Sequence, residues 1–197
     1  MKSYVFIFLT FFSLNLFSNP ADLNKYKNSD NYYNFFVEIP AGTKQKWEVN
    51  KDGILEWEEK DGEKRVVKFL GYPGNYGFIP QTLGGDNDPL DVIDLEESID
   101  RGEIVTRKII GGMYFEDKKD IDIKLIAIDE KGVFSNYESI DQLIIEKPDV
   151  LEILRSWFMS YKKPGKMIFY RYINKQESEE IIEDAHKKWV RSKEQSN

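Results

Sequence analysis

The segment Gly84-Gly85-Asp86-Asn87-Asp88-Pro89-Leu90-Asp91-Val92 places three carboxylates within six residues. Charges of one sign held this closely repel one another, so an ordered segment of this kind usually contains a cation. Carboxylate oxygens favour Mg²⁺, Mn²⁺ or Ca²⁺ over Zn²⁺. An EF-hand loop is excluded, because Leu90 and Asp91 occupy the fifth and sixth positions counted from Asp86. The pattern predicts a divalent-metal site, with a solvated turn as the alternative, because these residue types are also common in turns.

The overall composition restricts the chemistry that the rest of the chain can supply. The 197 residues are enough for one domain with a core, and they include no cysteine, which excludes disulfides, thiolate metal sites and a thiol nucleophile. His186 is the only histidine, so acid–base catalysis by imidazole is disfavoured. A formal net charge of -7 argues against general binding to nucleic acid or to an anionic membrane.

The first 19 residues differ in kind from the rest of the chain. Lys2 supplies a positive charge, residues 4–14 are almost wholly apolar, and Ser18 is a small residue after the apolar run. This run is shorter than the roughly 20 residues that a membrane-spanning helix needs. We therefore predict a signal peptide at residues 1–19 and a single domain at residues 20–197 of a secreted or periplasmic protein. An uncleaved N-terminal anchor is the alternative.

Short apolar or alternating segments bounded by turn residues predict a structure rich in β-strands. The predicted strands are residues 35–39, 45–49, 54–57, 65–70, 92–95, 104–110, 121–128 and 167–173. Residues 54–57 and 65–70 are expected to form a hairpin. Residues 71–80 are dense in glycine, proline and aromatic residues, which predicts an irregular segment and not a long central strand. Residues 20–34 show little periodicity and are predicted to form an N-terminal arm on the surface.

Two helices are predicted in the last third of the chain. Pro148 can begin a helix that continues to Lys163, because apolar residues recur at helical spacing between them. Ser178 can cap a final helix. Many short strands followed by two helices predict an α+β, mainly β fold, namely a small closed five-stranded barrel of the OB-like type with two packed helices and peripheral hairpins.

A second acidic cluster begins at Asp117. It continues through Asp120 to Asp122, which shares one face of a predicted strand with Lys124. Two groups of aspartates accompanied by lysines, an arginine and tyrosines suit phosphoryl transfer, which needs metal ions and cations around phosphate oxygens. Glycoside hydrolysis needs only two well-separated carboxylates and has little use for the basic residues.

The acidic segment also resembles the signature of the family I soluble inorganic pyrophosphatases. The resemblance extends over residues 35–166, where further motifs follow in the order of that family. These are Glu38-Ile39-Pro40, Lys46-Trp47-Glu48, Arg65, Tyr72 with Asn75-Tyr76-Gly77, Asp117 with Asp122 and Lys124, and Tyr161-Lys162.

The resemblance implies hydrolysis of pyrophosphate to two orthophosphates, with several Mg²⁺ ions in one active site. It assigns Asp88 the role of accepting a proton from the attacking water. The implied metal ligands are Asp86, Asp91, Asp117, Asp122 and Glu48, with Asp120 as the alternative to Asp117 for the third metal. The implied phosphate-binding residues are Lys46, Arg65, Tyr76, Lys124, Tyr161 and Lys162, and the implied supporting residues are Glu38 and Tyr72.

Four expectations concern partners. The protein is expected to bind pyrophosphate as a small-molecule substrate and to form a homo-oligomer, with no nucleic acid partner and no membrane association beyond the signal peptide.

The alternative function is a non-catalytic extracellular module that binds calcium or polyphosphate through the same residues.

Overall fold

The computed structural model describes residues 19–23, 25–30, 32–163 and 165–195. The predicted signal peptide therefore lies outside the described residues, except for Asn19. The helices are α1 (Pro20–Leu23), α2 (Ile140–Glu146), α3 (Pro148–Ser160) and α4 (Lys175–Glu194). The strands are β1 (Tyr33–Ile39), β2 (Trp47–Val49), β3 (Leu55–Trp57), β4 (Glu59–Lys60), β5 (Glu63–Lys64), β6 (Asn75–Ile79), β7 (Leu90–Asp94), β8 (Ile104–Asp117), β9 (Asp120–Ile128) and β10 (Met167–Ile173).

Five strands form a ring of pairings. β1 pairs with β6, β6 with β7, β7 with β9, β9 with β8, and β8 pairs again with β1. Only the β7–β9 pairing within this ring is parallel. β10 pairs with the second half of β8 and lies outside the ring. The mainly β fold with a small five-stranded barrel is confirmed.

The core lies on both faces of the barrel strands. Leu125 and Ile126 are both fully buried but belong to different clusters, because successive side chains of a strand point to opposite faces. The cluster that contains Leu125 packs against Ile182 of α4. The cluster that contains Ile126 packs against Leu143 of α2 and Phe158 of α3. The helices therefore cover the barrel on two sides.

The segment at residues 71–80 was predicted to be irregular, and this prediction was wrong for its second half. Asn75–Ile79 forms β6, which is buried along its whole length and pairs with β1 and β7. A Cβ atom added to Gly77 would lie 1.9 Å from the carbonyl oxygen of Phe36 on β1. Glycine at this position allows the close approach of two strands, a role that composition does not distinguish from a turn.

The hairpin predicted from residues 54–57 and 65–70 was also wrong. β3 pairs instead with β2, where the rings of Trp47 and Trp57 stack with centroids 6.0 Å apart. Two charged strands, β4 and β5, form a separate hairpin. Val66 makes only an isolated bridge to Gln45, and the segment that follows it is not a strand.

The strand predicted at residues 104–110 is longer than expected, because β8 continues through Gly111 and Gly112 to Asp117. Gly111 has a φ of 154°, and the pairing register with β9 shifts between Ile109 and Gly111, which identifies a bulge. A Cβ atom on Gly111 would lie 2.6 Å from the side chain of Ile140 in α2. The bulge bends the strand and lets α2 pack closely against it.

The two predicted helices are present with different ends. α3 begins at Pro148 as expected but stops at Ser160, and Tyr161 is its C-cap. α4 begins at Lys175, with Asn174 as the N-cap that accepts a hydrogen bond from the Glu177 amide. Ser178 is therefore not the cap; it is buried and donates its hydroxyl to the Asn174 carbonyl at 2.9 Å.

The short helices α1 and α2 were not predicted. α2 has a capping box formed by Ser139 and Gln142, but its seven residues are too few to show a clear apolar period. The arm predicted at residues 20–34 includes α1 and the start of β1, and it packs along α4. No helix in the described part of the chain is both long and apolar enough to cross a membrane.

Candidate active site

A cleft of about 1140 Å³ lies beside the barrel. All fourteen residues singled out from the sequence contribute to its lining. They are Glu38, Lys46, Glu48, Arg65, Tyr72, Tyr76, Asp86, Asp88, Asp91, Asp117, Asp122, Lys124, Tyr161 and Lys162.

Lys124 lies at the centre of the polar contacts in the cleft. The parallel pairing of β7 with β9 sets Asp91 opposite Lys124, and the ammonium group contacts the Asp91 carboxylate. Its Nζ also lies 2.6 Å from the Asp122 carboxylate and donates to the Tyr76 hydroxyl at 3.0 Å. Lys124 is 4% exposed. Burial alone would lower its pKa, but the carboxylates of Asp91 and Asp122 outweigh burial and raise the pKa above its usual value.

Asp117 and Lys162 form a second pair in the cleft, with 2.8 Å between Nζ and Oδ2. Asp117 ends β8, and Lys162 follows the C-cap of α3. The other oxygen of Asp117, Oδ1, is buried without a hydrogen-bond partner in the described part of the chain. Asp120 also lines the cleft but is exposed to solvent. The geometry therefore favours Asp117 over Asp120 as a ligand for a cation.

Lys46 lies between two glutamates. Its ammonium group contacts Glu48 and lies 3.3 Å from Glu58. Arg65 contacts both carboxylate oxygens of Glu58. Burial lowers the pKa of Lys46. Burial would raise the pKa of Glu58, but the adjacent Arg65 and Lys46 lower it, so this glutamate is held as a carboxylate that fixes both cations.

The acidic loop at Gly84–Asp88 is closed by its own backbone. The Gly84 amide donates to the Asp88 carbonyl at 2.7 Å, and the Asp88 amide donates to the Asp86 carboxylate at 3.1 Å. Asn87 has a φ of 72°, a conformation that asparagine tolerates better than most residues. Partial burial raises the pKa of Asp88, and the charges of Asp86 and Asp91 raise it further.

Glu38 also lines the cleft, and it is buried, with 6% of its surface exposed. Its carboxylate accepts a hydrogen bond from the Val49 amide at 2.7 Å, which joins β1 to β2. Burial raises the pKa of Glu38 to about 8, against the effect of that hydrogen bond, and the negative charge of Asp91 adds to the increase.

Three tyrosines reach the cleft from an aromatic cluster. Tyr161 stacks on Trp157 with ring centroids 4.5 Å apart, and Tyr72 packs between Trp157 and Tyr76. Burial raises the pKa of each of these three phenols, so their hydroxyls stay protonated and can donate hydrogen bonds. Packing on α3 therefore fixes the positions of three potential donors.

The donor set fits a hard divalent cation. The acidic residues that line the cleft offer only oxygen ligands, and the buried Oδ1 of Asp117 has no hydrogen-bond partner among the described residues. Within that same part of the chain, no three carboxylates are already grouped closely enough to hold a metal ion. Instead, the ammonium groups of Lys46, Lys124 and Lys162 are paired with them. A cation would have to compete with these lysines for the carboxylates.

Some residues of the site are not recognisable from sequence motifs. Glu58 orients Lys46 and Arg65, but it lies in a run of charged residues in which nothing distinguishes it. Lys163 and Lys166 also line the cleft. Their closeness to Lys162 in the sequence could have identified them as residues of the site.

Residues 35–190 match the family model described as inorganic pyrophosphatase. The chain belongs to this family. It is 35% identical over 162 residues to an inorganic pyrophosphatase of Nanoarchaeum equitans, which covers 78% of this chain and 95% of that protein. Members of the family depend on metal ions.

Solved structures of pyrophosphatases are similar to this chain. A type I inorganic pyrophosphatase from P. falciparum superposes with a TM-score of 0.82 at 28% identity, covering 89% of this chain and 64% of that one. A truncated vacuolar soluble pyrophosphatase from Trypanosoma cruzi, solved in complex with PPi, has a TM-score of 0.78 at 25% identity and covers 88% of this chain and 75% of that one. These matches do not support the alternative of a non-catalytic binding module.

Proposed function

We propose that this pyrophosphatase-family chain hydrolyses inorganic pyrophosphate to two orthophosphates with Mg²⁺ as its metal. The observation that carries the proposal is the arrangement around Lys124, which contacts Asp91, Asp122 and Tyr76 in one cleft. This arrangement brings oxygen ligands for a hard cation next to cations and phenols for phosphate.

The metal ligands that we propose are Asp86, Asp91, Asp117, Asp122 and Glu48. Mg²⁺ bound there would lower the pKa of a water molecule and neutralise charge on phosphate oxygens. Glu38 and Tyr72 are the proposed supporting residues: Glu38 accepts a hydrogen bond from the Val49 amide, next to Glu48, and Tyr72 packs on Tyr76.

Asp88 is the proposed proton acceptor. The water oxygen attacks one phosphorus, the bond from that phosphorus to the bridging oxygen breaks, and the proton of the water passes to the Asp88 carboxylate. Asp88 is exposed on the acidic loop and lines the cleft.

The remaining residues bind the two phosphate groups. The cations proposed for this role are Lys46, Arg65, Lys124 and Lys162, and the hydroxyl donors are Tyr76 and Tyr161. Glu58, which is not a proposed metal ligand, contacts Arg65 and lies 3.3 Å from the Lys46 ammonium group, so these two cations are held in position before substrate binds. Such prior positioning reduces the reorganisation that the reaction requires.

The cellular setting is a further part of the proposal. The apolar run at residues 4–14, after Lys2 and before Ser18, supports export to the periplasm or the medium. We also propose a homo-oligomer, in line with the resemblance described above.

The direct test of the metal requirement is phosphate release from pyrophosphate with purified protein. Release should require Mg²⁺ and stop with a chelator. Ca²⁺ should inhibit, because it is larger and adopts looser coordination than Mg²⁺. Undiminished release with excess chelator, or equal rates with Mg²⁺ and Ca²⁺, would contradict the proposal.

A further inference from the structure

The acidic loop is exposed, and its position depends on how its two ends are held. Residues 85–88 are exposed to solvent, so they have little packing of their own. At the base of the loop, the buried hydroxyl of Thr82 donates to the Ile79 carbonyl at 2.6 Å and accepts from the Leu90 amide at 3.0 Å. This clamp joins the strand before the loop to the strand after it.

A second attachment comes from residues of helix α4 that do not line the cleft. The ammonium group of Lys188 donates to the carbonyl oxygen of Gly84, the first residue of the loop. The Leu83 amide donates to the Ala185 carbonyl at 3.0 Å, and His186 Nδ1 donates to the Gln81 carbonyl at 2.8 Å. Lys188 does not line the cleft. Of these three contacts from α4, the one made by Lys188 is to a residue of the loop itself, whereas the other two are to Leu83 and Gln81 before the loop.

Gly84 connects Lys188 to the carboxylates of the loop. The Gly84 carbonyl receives Lys188, while the Gly84 amide donates to the Asp88 carbonyl at 2.7 Å. Asp88 in turn donates its amide to the Asp86 side chain. The repulsion among the carboxylates tends to open the loop. A fixed, positively charged donor at Gly84 opposes that opening through the backbone and through its charge.

We propose that Lys188 is a positioning residue that sets the affinity of the acidic loop for Mg²⁺. It acts through Gly84 and touches neither the metal nor the substrate. This inference rests on the proposed function, because it assumes that Asp86 and Asp91 bind metal. Loss of groups that orient metal ligands typically reduces metal affinity by about 10- to 100-fold.

The test compares wild type, Lys188→Met, Lys188→Arg and Lys187→Met. Methionine keeps the length and helix propensity of lysine without the donor, and arginine restores a charged donor. Lys187 is the matched control, because it is the adjacent lysine and pairs with Asp184 on the solvent side of α4. Isothermal titration calorimetry with MgCl₂, without pyrophosphate, measures the dissociation constant of each variant. Thermal unfolding without metal measures stability.

We expect the Mg²⁺ dissociation constant of Lys188→Met to rise by about 10-fold. Lys188→Arg and Lys187→Met should bind Mg²⁺ as wild type does, and all four metal-free proteins should unfold within about 2 °C of one another. The inference is overturned if Lys188→Met binds Mg²⁺ like wild type, if Lys188→Arg fails to restore binding, or if the wild type binds no Mg²⁺. A lower unfolding temperature with unchanged Mg²⁺ affinity would show a merely structural role and would also overturn it.

Phosphate release is measured separately on the same proteins. If the wild type binds Mg²⁺ but releases no phosphate, the proposed function fails, while the binding comparison still decides the role of Lys188.

Discussion

At the scale of single residues, the cleft is a set of lysines that neutralise carboxylates. Lys124 touches Asp91 and Asp122, and Lys162 touches Asp117. Opposite charges at these distances offset the repulsion that would otherwise open the site when no metal is bound. The same lysines would be available for phosphate oxygens once cations take over the carboxylates.

Asp117 and Asp120 provide a matched pair of variants for the third metal site. Asp117 carries a buried carboxylate oxygen with no partner in the described part of the chain, whereas Asp120 is exposed. Asp117→Asn should lower kcat/KM by at least about 10-fold and raise the Mg²⁺ concentration needed for half-maximal rate, because it removes a ligand charge. Asp120→Asn should stay within about twofold of wild type.

Steady-state phosphate release over a range of Mg²⁺ concentrations measures both effects. If Asp120→Asn loses more kcat/KM than Asp117→Asn, the third metal would be assigned to Asp120.

Much of the site could be predicted from the sequence, because its chemistry requires particular residue types in short motifs. Asp86, Asp88 and Asp91 lie within one such motif. Contacts between distant parts of the chain could not be predicted in this way. The bond from Lys188 to Gly84 joins residues 104 positions apart, and neither residue type indicates the other.

At the scale of elements, the approach of β6 to β1 depends on Gly77. Alanine there would place a Cβ atom 1.9 Å from the backbone oxygen of Phe36, which cannot move without disturbing β1. Gly77→Ala should reduce the free energy of unfolding by about 3 kcal/mol or more, as overpacked substitutions do. Gly85→Ala is the control, because no atom lies within 4 Å of its added Cβ. Urea unfolding compares both variants with wild type, and equal stabilities would refute this account of β6.

The contact between Asp94 of β7 and Arg107 of β8 should make the stability of the fold sensitive to pH. Asp94 is fully buried, accepts from Arg107 at 2.8 Å and from Asn75 at 3.0 Å, and burial raises its pKa to about 6 in spite of Arg107. A carboxyl with a raised pKa contributes stability below its unfolded pKa and loses that contribution as pH rises through about 6. The stability of wild type relative to Asp94→Asn should therefore fall by about 2 kcal/mol between about pH 4 and about pH 7.

Urea unfolding of the two proteins at both pH values measures this difference. A stability advantage of the wild type that grows with pH would show that the ion pair with Arg107 outweighs burial.

The positions of strands along the chain were easier to predict than the pairings between strands. Alternation along residues 121–128 identified β9 correctly, because period and burial are local properties. The pairing of β3 with β2 was missed, because it is decided by the stacking of Trp47 on Trp57 across the pair. The glycines of β6 and β8 resemble turn residues in the sequence, and only the neighbouring backbone shows why they are needed.

At the scale of the whole molecule, the N-terminal arm and α4 form one side of the cleft. Asn19 and Asp22 line it together with Trp189 and Lys193, and Asp22 accepts hydrogen bonds from both of these α4 residues. Asp22, near the start of the predicted mature domain, therefore contributes to the cleft.

Export and cleavage can be checked on protein isolated from the native cell envelope or medium. We expect intact mass and N-terminal sequencing to show a chain that lacks residues 1–18 or 1–19. A protein that retains Met1 to Ser18 would contradict cleavage and favour the uncleaved anchor.

The proposed function requires that one cleft hydrolyses pyrophosphate with Asp88 as the proton acceptor. The most direct measurement is the rate of phosphate release from pyrophosphate by wild type and Asp88→Asn at saturating Mg²⁺. We expect rapid release by the wild type and a loss of about 10²- to 10⁴-fold in the variant, the usual contribution of a general base. Undiminished release by Asp88→Asn, or no release by the wild type, would contradict the claim.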